Sequence, residues 1–129
     1  MTLEDLKENI QKYIKLSENI SILENIDQLT IDKVADGILT IWVTWSPGFL
    51  NCVNAVKLLQ DKNYSGQIII IDNDSVPVDF QKRTFGRVAL HGWGEIFEIK
   101  DGKIVNEFVG KESAKIFKLQ IDKCTNCSL

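Results

Sequence analysis

The chain has 129 residues, three of them cysteine, and carries a formal net charge of −3. That length supplies a core for one domain over 1–129 without disulfide or metal staples, and the acidic balance excludes the basic face of a nucleic-acid binder. No run approaches the roughly 18 apolar residues of a membrane span, and the early charges in Met1-Thr2-Leu3-Glu4-Asp5 do not make a secretory leader; a cytoplasmic protein with no membrane contact is expected, and the odd cysteine count fits a reducing compartment.

Thr2 followed by Asp5 three residues on predicts a capped helix start with acid in the first turn. Leu3, Leu6, Ile10, Tyr13 and Ile14 recur at helical spacing, carrying an N-terminal helix through residues 1–18 to an end near Ser17. The alternation around Ile20, Ile22 and Glu24 predicts an edge strand within Asn19 to Ile26. Residues 27–37 read as one or two short helical turns ending at Asp36-Gly37.

Ile38–Trp45 is β-branched and aromatic with almost no polarity, the pattern of a central strand covered on both faces. Phe49, Leu50, Val53, Val56 and Leu59 then follow helical spacing. Ser65-Gly66 breaks the helix, and Gln67–Asp72, with four consecutive isoleucines, predicts a second central strand. Val78 to Phe85 forms a short helix closed by Gly86. Glu95–Lys100, the turn Asp101-Gly102 and Lys103–Val109 read as a β-hairpin, because Asp-Gly between β-prone runs matches the turn such strands require. A last helix spans 111–124 with Ala114, Phe117, Ile121 and Cys124 on one face, and the tail Thr125–Leu129 is expected to be loose. Two βα crossovers followed by an antiparallel hairpin imply an α/β fold: a mixed sheet with helices on both faces.

Trp45-Ser46-Pro47-Gly48-Phe49 lies where the central strand runs out and the next helix begins. With the acid-ended strand Gln67–Asp74, the hairpin turn Lys100-Asp101-Gly102-Lys103 and Val109-Gly110 before the last helix, it makes the chain resemble the thioredoxin superfamily over roughly 19–124. The resemblance implies a redox site at the junction, with a thiolate after the tryptophan activated by the field of a helix N-terminus. The two sulfur positions are Ser46 and Phe49 here. The family's buried acid falls at Thr40, and its cis-proline falls near Gly94, in His91-Gly92-Trp93-Gly94. Four chemical elements are absent together, so the resemblance implies the frame of a redox site without its chemistry.

Other reactive groups have plainer readings. Cys52 is a candidate displaced thiol, but a buried apolar role is preferred, since it lies a turn inside the helix. Cys124-Thr125-Asn126-Cys127 has C-x-x-C spacing at a chain end rather than at a strand-to-helix junction. Two such cysteines and the lone His91 are too few for tetrahedral zinc, so no metal or cofactor is expected. A Ser46–His91 dyad lacks an identifiable orienting acid. Lys82, Arg83 and Arg87 read as a solvated face, and Asp72, Asp74 and Asp79 lack calcium-loop spacing.

What the old site retains is aromatic. Trp45, Ser46, Pro47 and Phe49 are expected to meet His91, Gly92, Trp93 and Gly94 on one docking surface, with Gly92 and Gly94 admitting close backbone approach. The function expected is a redox-inactive protein-binding module with a protein partner, basic if the acidic charge steers it, and an immunity- or antitoxin-type inhibitor is one specific version of it. The alternative is a thiol-disulfide oxidoreductase or glutathione-linked enzyme using Cys52 or the Cys124/Cys127 pair.

Overall fold

A computed structural model describes residues 2–123. In chain order these form α1 (Leu3–Gln11), β1 (Ile20–Leu23), α2 (Gln28–Asp32), β2 (Asp36–Trp42), α3 (Phe49–Asp61), β3 (Gln67–Asp72), a 3-10 turn at Asn73–Ser75, α4 (Val78–Phe85), β4 (Ile96–Lys100), β5 (Lys103–Phe108) and α5 (Ser113–Lys123). The sheet order is β1-β3-β2-β4-β5. The first three neighbours run parallel, and β4 and β5 are antiparallel additions. This is the mixed sheet with helices on both faces that the sequence predicts.

The interiors of the central strands are apolar but for Thr40, because the sheet has two cores. Ile38, Trp42, Ile68 and Ile70 face one side and pack with α1, α3 and α5 through Leu6, Ile10, Cys52, Val56, Leu59, Phe117 and Ile121. Their alternates Leu39, Ile41, Ile69 and Ile71 face the other side and pack with Ile31, Phe80, Phe85 and Phe97. A strand buried on both faces shows no alternation of apolar and polar residues by which its period of two could be read.

Local chemistry sets the ends of elements. The Thr2 hydroxyl accepts from Asp5 N–H at 3.1 Å, and the Asp5 carboxylate accepts from Thr2 N–H at 3.3 Å, completing the capping box. Asp27 and Thr30 build a second such box on α2. Gly86, at φ 79°, ends α4. Asp101 and Gly102 both take positive φ, 51° and 76°, as a two-residue hairpin turn requires.

Three boundaries differ from expectation. Helix α1 stops at Gln11 rather than near Ser17, yet Ile14 remains buried; its apolar spacing marks burial by a turn leading back to β1, not more helix. Strand β2 takes in Asp36 and Gly37, which read as the end of the short helical turns over 27–37, and ends at Trp42, three residues short of Trp45. It ends there because its ladder with β3 stops at the Trp42–Asp72 pair, and that with β4 at the Thr40–Ile96 pair. No helix among the described residues is long and apolar enough to cross a membrane.

Candidate functional site

Beyond Trp42 the chain keeps Val43 buried, then surfaces at Thr44 and Trp45 before α3 begins. Trp45 is 58% exposed, yet it is held at two points. Its indole N–H donates to Asp74 Oδ1 at 3.1 Å. Its six-membered ring lies against Gly92, where any added Cβ would collide with it. Ser46 is fully engaged as well: its hydroxyl donates to the Gly92 carbonyl at 2.8 Å and accepts from Gly48 N–H at 3.1 Å.

The facing loop, 91–94, has much of its main chain satisfied from within. Glu95 is completely buried. Its carboxylate accepts from His91 N–H at 3.1 Å and from Trp93 N–H at 3.3 Å. Asn51, in the first turn of α3, donates to the Trp93 carbonyl at 2.6 Å and to the Lys111 carbonyl at 3.1 Å, and its own carbonyl accepts from Ala114 N–H. Ser113 Oγ donates to the Gly94 carbonyl at 2.9 Å. The junction, the loop and the entry to α5 are thus tied into one unit.

The structure brings Trp45, Ser46, Gly92, Trp93 and Gly94 together, with Pro47 and His91 exposed on the same two segments. Phe49 packs instead with Tyr13 and Trp42, at ring-centroid distances of 5.0 and 5.3 Å. The space expected beside Gly92 and Gly94 for an incoming backbone is filled by the chain itself, by the Trp45 ring and by the Gly48 carbonyl. Both glycines sit at positive φ, 80° and 74°, so side chains are disfavoured there on two counts. No peptide bond among the described residues is cis.

The reactive groups fall out differently. Cys52 is fully buried against Thr40, and burial pushes its thiol up to about 12, with the Thr40 hydroxyl acting in the opposite direction. It therefore has almost no nucleophilic thiolate at neutral pH. Thr40 occupies the interior position where the resemblance implies an acid, and its hydroxyl donates to the Ile69 carbonyl at 3.1 Å. The Ser46 hydroxyl proton points to Gly92 rather than to His91, so no Ser–His dyad forms. Cys124 and Cys127 lie outside the described residues. Asp72, at the end of β3, is raised above the ordinary aspartate range, first by burial and then by the nearby Asp74 charge, against opposing backbone hydrogen bonds; its Oδ1 is buried without a partner. Lys82, Arg83 and Arg87 are exposed, and Arg87 pairs with Glu107 at 2.8 Å.

Sequence reading missed Glu95, Asn51 and Ser113, and weighed Asp74 only as a calcium candidate, not as the partner of Trp45. Glu95 opens an apolar strand and looks like an outward position; only its neighbours' amides explain its burial. Asn51 does carry a signal, an amide two residues into an apolar helix, but its partners lie 42 to 63 residues away.

No protein-family model matches the chain, and no curated protein matches it. Solved structures do. The reduced desulfothioredoxin of Desulfovibrio vulgaris Hildenborough superimposes with a TM-score of 0.62 at 15% identity, over 84% of this chain and 99% of that one. The thioredoxin of Trypanosoma brucei brucei gives 0.60 at 8% identity, over 88% and 100%. Mitochondrial thioredoxin 3 of Saccharomyces cerevisiae gives 0.57 at 20% identity, over 80% and 94%.

Proposed function

We propose that this chain, whose fold is thioredoxin-like, is a redox-inactive cytosolic binding module over 1–129 that docks a protein partner on the Trp45–Trp93 surface. The observation that carries this reading is the fate of Ser46. The residue in the nucleophile's position has its hydroxyl committed to Gly92 and Gly48, while the adjacent Trp45 and Trp93 stand 58% and 38% exposed on braced backbone. Large aromatic side chains fixed before contact lose little freedom on binding, which is why they serve as interface anchors. Burial of Cys52 supports the same reading, since it removes the nearest thiol from redox exchange. The immunity- or antitoxin-type form of the role is supported by a 129-residue chain with a net charge of −3, and it implies a basic partner.

The test is differential capture from native cytoplasm, followed by affinity measurement with the purified partner. Wild type is expected to retain a partner that Trp45→Ala/Trp93→Ala loses by at least tenfold, with the far-UV spectrum and unfolding midpoint preserved. Equal binding by the double variant would move the interface to another face. Insulin reduction that disappears in Cys52→Ser or Cys124→Ser would replace the reading with a thiol enzyme.

A further inference from the structure

We infer that the partner is engaged through a cationic side chain, arginine above all, laid on the exposed part of the Trp45 ring with its charge against Asp74. This rests on the docking reading and names what the surface accepts.

Much of the loop's main chain is already engaged, which disfavours strand addition. An extended segment adding to loop 91–94 would need its N–H and C=O groups, but His91 N–H and Trp93 N–H already donate to Glu95. The Gly92, Trp93 and Gly94 carbonyls already accept from Ser46, Asn51 and Ser113. Opening these bonds strands the fully buried Glu95 carboxylate, a large penalty in a dry interior. Contact therefore falls to the projecting side chains.

Of these, Trp45 is the one fixed in place, by Asp74 at its nitrogen and by Gly92 against the Cη2 corner of its six-membered ring. Such a ledge meets a ligand with its orientation already set. Its chemistry is an aromatic face beside an anion. Asp74 is exposed, and a carboxylate that accepts one indole N–H retains capacity for further donors. Asp72 stands two residues away and adds negative field at this end of the sheet. An aliphatic side chain over Trp45 would cover the carboxylate and desolvate it without compensation. A guanidinium stacks on the indole plane and returns donors to the carboxylate in the same pose, which an ammonium does less well. The overall charge of −3 has the sign that such a partner requires.

The test follows the Trp45 indole N–H resonance of 15N-labelled protein during titration with the peptide acetyl-Gly-Arg-Gly-amide. Its citrulline counterpart has the same shape without the charge. A saturable shift is expected with the arginine peptide, and binding at least fivefold weaker with citrulline. Asp74→Asn keeps an acceptor for the indole while removing the charge, and should weaken arginine binding by about two- to fivefold. No shift with arginine, equal binding of citrulline, or no effect of Asp74→Asn overturns the inference. With the captured partner, loss of binding in Trp45→Ala/Trp93→Ala but full binding by Asp74→Asn leaves the docking surface standing and removes the cationic ledge.

Discussion

Replacing Glu95 separates a positioning role from a merely buried one. The side chain is completely shielded from solvent and serves two amides, at 3.1 Å to His91 and 3.3 Å to Trp93. Glutamine keeps the shape and one acceptor oxygen, but its NH2 group must face one of the two N–H donors. Glu95→Gln should therefore keep the shorter bond and unpair the longer one, costing about 1–2 kcal/mol at the low end for hydrogen bonds to charged groups. Glu95→Ala unpairs both amides and leaves a void, costing about 3–5 kcal/mol. Against a typical stability of about 5–15 kcal/mol, the first variant folds and the second is marginal. Urea unfolding followed by tryptophan fluorescence measures both, with an unchanged m-value identifying a stability effect. In Glu95→Gln, amide exchange should accelerate at Trp93 before it does at His91. A Glu95→Gln variant within 0.5 kcal/mol of wild type (about the scatter of a neutral surface substitution), with both amides still protected, would refute the assignment of Glu95 as the brace of this loop.

Gly92→Ala should cost more than Gly86→Ala, because both positions have positive φ near 80° but only Gly92 has the Trp45 ring where a methyl would go; thermal unfolding should show about 1–2 kcal/mol for Gly86 and at least 1 kcal/mol more for Gly92. In a Cys124→Ser/Cys127→Ser background, Cys52 should resist iodoacetamide at pH 8 until denaturant is added, given a thiol pushed up to about 12; rapid alkylation of the folded protein would contradict its burial. Asp72 has its folded pKa raised, so the native state holds that proton more tightly than the unfolded chain. Its contribution is greatest below the ordinary value of about 3.9 and is lost as pH rises through the folded value. Asp72→Asn should therefore be more stable than wild type at pH 7, with the advantage vanishing below about pH 3; an equal difference at both pH values, measured by urea unfolding, would contradict this.

Legibility followed the range of the interactions involved. The Thr2–Asp5 box, the Asp101-Gly102 turn and the isoleucine run are written in neighbouring residues, and each appears where the local pattern places it. Helix α1 was overextended because Tyr13 and Ile14 keep helical spacing in a turn that is not helical. That Trp45, Gly92, Trp93 and Gly94 lie together follows from their positions relative to the strand and the hairpin. What closes that site does not. The bond from Trp45 to Asp74 spans 29 residues and that from Ser46 to Gly92 spans 46, and no local rule selects either partner. Phe49 shows the reverse case: it occupies a functional position of the resembled family, but its contacts with Tyr13 and Trp42 belong to the core on the α1 side.

Asn51 has a consequence for the order in which the chain assembles. Its three bonds close segments 42, 60 and 63 residues apart, and such closures become favourable only after shorter-range structure has shortened the intervening chain. The parallel β2–β3 pair and α3 are therefore expected to form before the amide reaches the loop and the start of α5 together. The tryptophan surface is thus expected to be completed late in folding. On the docking reading, a partner gripping it would sample the whole fold through a few side chains, and a half-folded chain would present it with nothing to hold.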